Sequence, residues 1–143
     1  YGIYLYNNSN NNTITGNTFS SNKTYGIYLY NNSNNNTITG NTCNDNNTGI
    51  YLYYNSNNNT VTGNTCNDNN TGIYLNGNDN NTVIGNTCIR GTGQASDYTS
   101  SQYTIRLSGT GNNYNLIACN NIMGKNYTSG GGTGNTFVNN KYN

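Results

Sequence analysis

Histidine, proline and tryptophan do not occur in this chain of 143 residues, and acidic side chains number only four. Each shortage removes a class of chemistry. Without histidine, a serine or cysteine nucleophile has no ordinary general base, and the commonest ligand of zinc and copper is missing. A single methionine (Met123) and the lack of any Cys-x-x-Cys spacing leave no familiar metal site. The five basic residues, Lys23, Arg90, Arg106, Lys125 and Lys141, are scattered and the formal charge is +1. That pattern excludes the clustered basic surface on which nucleic-acid binding depends. No apolar run approaches the roughly 20 residues of a membrane span, and no signal-peptide pattern is visible. The expectations are no cofactor, no metal, no nucleic-acid partner and no membrane span. The chain opens inside a repeat at Tyr1, which reads as a processed product or a fragment.

Asparagine is what the chain has in excess: 39 residues, about a quarter of the total. Only 31% of residues are hydrophobic, a level that in a highly charged chain would signal disorder, but charged residues make up just 6%. The apolar residues also fall at repeating positions. The same glycine recurs at Gly2, Gly26, Gly49 and Gly72, in steps of 24, 23 and 23 residues. A period of that length marks a solenoid, in which each repeat buries its apolar face by stacking on its neighbours.

Aligned on that glycine, the repeats form columns. Ile3, Ile27, Ile50, Ile73 and Ile105 make one, and Leu5, Leu29, Leu52, Leu75 and Leu107 another. Strand alternation turns both inward and turns Tyr4, Tyr28, Tyr51 and Tyr74 outward, with Arg106 in the fifth turn. Tyr6, Tyr30 and Tyr53 follow at the strand end. A second segment carries Ile14, Ile38, Val61, Val83 and Ile117 inward, then corner glycines, then Asn17, Asn41, Asn64, Asn86 and Asn120, which suit an amide ladder. The last inward column is read as Phe19, Cys43, Cys66, Cys88, Ile122 and Phe137. Short strands at this period, with no helical pattern between them, predict an all-β, right-handed parallel β-helix. Its rungs are about 23 residues each, and five to six of them give a rod roughly 25–30 Å long.

The segment GIYLYNNSNNNTITGNT resembles the right-handed parallel β-helix repeats of the NosD-like and carbohydrate-binding/sugar-hydrolase family. The likeness is strong over Tyr1–Cys88 and fainter over 103–122 and 133–140. It implies one β-helix domain over 1–143, with regular repeats to residue 88, a loop at 89–102 and degenerate rungs at 103–143. The NosD likeness raises copper, against which stand the missing histidine and the lone methionine.

Chemical candidates are few. Asp45 and Asp68 occupy one site in successive repeats, so they should stack one rung apart. Carboxylates about 5 Å apart suit a retaining glycosidase, whereas wet Asn-rich turns make them solvated asparagine equivalents. Cys43, Cys66 and Cys88 read as small buried hydrophobes or as disulfide partners, and Cys119, at a corner-glycine position, as the best placed to bond elsewhere. Glycosylation triplets include Asn11, Asn22, Asn46, Asn69 and Asn126. The tyrosine rows suit lateral self-association or stacking on sugar rings. Together these features predict an extracellular or cell-surface structural subunit, a sheath, filament or coat that polymerises with itself and is not an enzyme. The alternative is a carbohydrate-binding or polysaccharide-processing β-helix fragment.

Overall fold

The computed structural model describes residues 1–97, 99, 101–124, 128–129 and 131–142, with backbone only at Ala95, Thr128 and Ser129. Each turn of the chain lays down one long and one short strand. The long ones are β1 (Ile3–Tyr6), β3 (Tyr25–Tyr30), β5 (Thr48–Tyr53), β7 (Thr71–Asn76) and β9 (Tyr103–Ser108), with the two-residue β11 (Thr128–Ser129) continuing their line in the last turn. The short ones are β2 (Thr13–Thr15), β4 (Thr37–Thr39), β6 (Thr60–Thr62), β8 (Thr82–Ile84), β10 (Leu116–Ala118) and β12 (Thr136–Val138). Odd-numbered strands form one six-stranded parallel sheet and even-numbered strands a second. A third line of contact, unforeseen in the sequence, is a column of single bridges running Thr18, Thr42, Thr65, Thr87, Asn121 and Lys141.

Register is residue on like residue. Ile27 pairs with Ile50, and Ile50 with Ile73; Leu29, Leu52 and Leu75 do the same. Those Ile and Leu side chains are fully buried, together with Ile38, Val61, Val83, Ile117 and the thiols of Cys43, Cys66 and Cys88. The core is thus a narrow apolar filling between two sheets. One column is reassigned. Phe137 pairs with Ile117 in the short-strand sheet, not above Ile122, because the last turn is shorter than the others.

A coil this thin has little apolar area, and its corners would leave backbone groups unpaired in the interior. Asparagine resolves the problem. The backbone N–H of Asn41 donates to Asn64 Oδ1 at 2.9 Å, and that of Asn64 donates to Asn86 Oδ1 at 2.9 Å. The same amides donate through Nδ2 to the preceding rung: Asn41 to Ile14 O, Asn64 to Ile38 O and Asn86 to Val61 O, each at 2.9 Å. The ladder extends from Asn17 to Asn140. Two parallel ladders run through Asn12, Asn36 and Asn59 and through Asn22, Asn46 and Asn69. Only an amide offers an acceptor and two donors in this geometry.

A fourth, more exposed column uses only the side-chain acceptor for its bonds between rungs. Asn57 N–H donates to Asn34 Oδ1, Asp79 N–H to Asn57 Oδ1, and Asn113 N–H to Asp79 Oδ1 at 2.7 Å. A carboxylate serves there as well as an amide does. The glycines divide in the same physical way. Gly49 has no room, since a Cβ would lie 2.6 Å from Gly72 O, whereas the corner Gly63 has open space and a φ of +62°.

These contacts predict opposite outcomes for two isosteric exchanges. Asn64→Asp removes the donor to Ile38 O and should cost about 2 kcal/mol or more. Asp79→Asn keeps its acceptor and should stay within about 0.5 kcal/mol of the parent. Urea unfolding followed by circular dichroism measures both, and equal losses would contradict the ladder account.

Candidate functional site

The outer face of the long-stranded sheet carries three side-chain columns. The central one, Tyr4, Tyr28, Tyr51 and Tyr74, is a continuous stack with centroids 4.6–5.2 Å apart and planes within 11° of parallel. Beside it, Tyr6, Tyr30 and Tyr53 stack at 5.3–5.6 Å. Ring faces are therefore covered by the next rung. Although they point outward, Tyr28 and Tyr51 retain only 8% and 7% exposure, while Tyr4 and Tyr6 at the first rung keep 41% and 51%.

The third column arises from a break in alternation. Tyr25 pairs with Thr48 and Ile27 with Ile50, so the register passes over the glycine between them. Skipping one residue brings Tyr25 to the outer face, 4.7 Å from the Tyr28 ring and edge-on to Tyr51 at 5.1 Å. This column runs Tyr25, Thr48, Thr71, Tyr103. Two successive threonines between tyrosines leave a hollow, a cleft of about 320 Å³. Thr48 and Thr71 line it along with Tyr51 and Tyr74, and Tyr25 and Arg106 also border it.

Its remaining wall is polar and belongs partly to the segment between β8 and β9. Gln102 Nε2 donates to Asn70 Oδ1 at 2.9 Å, and Asn70 Nδ2 to Asn47 Oδ1 at 3.0 Å. Asp97, in a 3-10 turn (Ala95–Asp97), organises that segment. Its carboxylate accepts from Thr92 Oγ1 at 2.8 Å and from Gln94 N–H at 3.0 Å, and its carbonyl accepts from Arg90 Nε. The Thr92 and Gln94 bonds hold the Asp97 carboxyl below the usual range. Arg106 lies over the rings of Tyr74 and Tyr103, at 5.0 and 4.6 Å from their centroids. Tyr74 Oη is 2.6 Å from Ser108 Oγ, and Asn76 Nδ2 donates to the hydroxyls of both Tyr51 and Tyr74.

A sequence profile described as the right handed beta helix region matches residues 1–142. The chain belongs to that family. Among solved structures, the periplasmic alginate epimerase AlgG superposes with a TM-score of 0.60 at 21% identity. Its T265N T268M double mutant gives 0.64 at 22%. Each comparison covers 96% of this chain, which spans only 35–36% of the epimerase's length. A search of curated proteins by sequence finds no match.

The expectation that the protein is not an enzyme is corrected. This β-helix has an enzyme, the epimerase, as its structural neighbour. The expectation rested on missing histidine and scarce carboxylates, yet tyrosine is itself a recognised proton-transfer group, and phenols and a guanidinium converge at the cleft. Asp45 and Asp68 stand at equivalent exposed corners with φ of +57° and +55° and are not among the residues that line the cleft. All four cysteines are free; Cys43, Cys66 and Cys88 are buried in line and Cys119 is exposed at its corner. Hydrogen bonding to Cys43 and Cys88, together with burial, pushes the Cys66 thiol well up.

Of the glycosylation triplets, Asn46 and Asn69 are buried in their ladder, Asn22 is half-buried and bonded to Asn46, and Asn11 is exposed. Asn126 lies outside the described residues, and among those described no helix is long and apolar enough to cross a membrane. Sequence reasoning missed Tyr25, Thr48, Thr71 and Gln102. The change from Tyr-Gly-Ile in the first two repeats to Thr-Gly-Ile in the next two was the signal for the first three.

Burial, and then the neighbouring phenols, push Tyr28 far above the ordinary phenol value of about 10. Burial does the same for Tyr51. Above about pH 10 the unfolded chain therefore loses protons that the folded protein keeps. Stability should be flat up to that point and fall beyond it. Urea midpoints measured from about pH 8 to 12 test this, with Tyr28→Phe/Tyr51→Phe expected to flatten the alkaline slope.

Proposed function

We propose that the protein engages a polysaccharide through the cleft on its long-stranded sheet, acting outside the cytoplasm as a carbohydrate-binding or polysaccharide-processing β-helix. The observation that carries this reading is the two-rung hollow over Thr48 and Thr71, bordered by phenols and amides. Its volume of about 320 Å³ sits at the small end of ligand sites, the size of a sugar unit rather than of a protein segment. Hydroxyls and amides match the donor and acceptor pattern of sugar hydroxyls. Tyr51 keeps its proton over the ordinary pH range and serves as a donor. A periplasmic enzyme acting on alginate, built on a similar coil, supports both the substrate class and the location.

Sugar contact here differs from the stacking expected of an open aromatic row. The faces of Tyr28 and Tyr51 are covered by their own neighbours, so ring edges and hydroxyls do the work. The same burial leaves the filament reading with less support, because the central rows offer little free area to a second copy.

Filling the hollow with a residue the column already accepts provides the test. Thr71→Tyr copies Tyr25 and Tyr103 and should preserve the melting temperature while weakening oligosaccharide binding about tenfold or more, as lost cleft contacts imply. Titration calorimetry against a panel of oligosaccharides reads the affinity, and nuclear magnetic resonance of the incubated polymer reads turnover. Undiminished binding by Thr71→Tyr would place recognition elsewhere.

A further inference from the structure

We infer that the cleft is a subsite for a sugar bearing a carboxylate, with the Arg106 guanidinium as that group's partner; this deepens the polysaccharide reading and rests on it. Arg106 occupies the position where four preceding rungs place tyrosine. It is the one charged residue among the ten that line the cleft, and none of the ten is acidic. Among the described residues Arg106 makes no ion pair, and three of the four carboxylates are bonded elsewhere. Asp97 is engaged by Thr92 and Gln94, Asp68 accepts from Gly91, and Asp79 accepts from Asn113.

The contacts that hold Arg106 are ring contacts, to Tyr74 and Tyr103, and the guanidinium makes no hydrogen bond among the described residues. Aromatic contact leaves the N–H edge of a guanidinium free while restricting its motion, so little entropy is lost when an oxyanion docks. A planar fork of N–H donors matches a carboxylate with two parallel hydrogen bonds. The amides of Gln102, Asn70 and Asn47 are linked to one another, and each NH2 group keeps at least one N–H which, with the adjoining hydroxyls, can meet the ring hydroxyls of the same sugar. The hollow spans two rungs, about 10 Å, which suits one or two sugar units.

Titration calorimetry with three matched probes tests this: a neutral oligoglucan, an oligouronate and a sulfated oligosaccharide of equal length, each with parent protein, Arg106→Gln and Arg106→Lys. The parent should bind the oligouronate about tenfold or more tighter than the neutral probe. Arg106→Gln should abolish that preference, so that the oligouronate binds no tighter than the neutral probe. Arg106→Lys, a point charge without the fork, should recover only part of it. Melting curves confirm that the variants are folded. Equal affinity for neutral and uronate probes, or a preference retained by Arg106→Gln, overturns the carboxylate assignment and leaves the polysaccharide reading intact. Tighter binding of the sulfated probe than of the uronate overturns it in favour of a sulfate ester. Failure of all three probes to bind overturns the polysaccharide reading, and this inference falls with it.

Discussion

Each rung of this protein is held on the next by asparagine side chains that close the backbone at the corners. A buried asparagine such as Asn64 accepts at Oδ1 from the preceding rung, donates back to it through Nδ2 and donates its backbone N–H to the next, so the described interior corners contain few unpaired polar groups. A shift of one residue would unpair every amide at once and turn each Ile and Leu to solvent. The register is therefore fixed by two independent sets of contacts, apolar and polar. With so little apolar area per rung, the polar set contributes specificity that a thicker core would supply by packing alone.

That constraint has a consequence for the outer face. If like residues must lie above like, whatever points outward is also repeated, and a repeated tyrosine becomes a stack. Stacking covers the rings and raises the phenol pKa at Tyr28 and Tyr51. A binding hollow can be made only where the repetition lapses. Here it lapses in three neighbouring places: Tyr gives way to Thr at 48 and 71, to Arg at 106, and a longer segment enters between β8 and β9. All three lapses border one cleft. The regular rungs serve as scaffold, and the cleft proposed as the binding site forms where they depart from regularity, in keeping with sites built on loops and edges of rigid frames.

Periodicity was a sufficient guide to the interior because the inward columns keep to apolar side chains and the ladder to asparagine. The Ile and Leu columns, the corner glycines and the main asparagine ladder all stand where the repeat places them. Errors gathered where period and geometry part. Phe137 was placed a column away because the last turn is short. Tyr25 went unread, since simple alternation takes no account of the break in pairing at Gly26 that brings it to the outer face. Exposure of the tyrosine rows was overestimated, because alternation gives the direction of a side chain but not what lies beside it. The expectation of no enzyme is overturned by an epimerase built on a similar coil, which a count of residue types in one chain has no means of registering.

The sequence alone determined the coil, its period, its register and the identity of its core, because each depends on contacts between equivalent residues one repeat apart. The tertiary structure alone decided the site. Thr48, Thr71, Gln102 and Arg106 belong to different rungs and to an inserted segment, and they meet only when the turns are stacked and the segment is folded against them. Contacts between unlike residues leave no periodic trace, so three-dimensional packing was needed to bring them together.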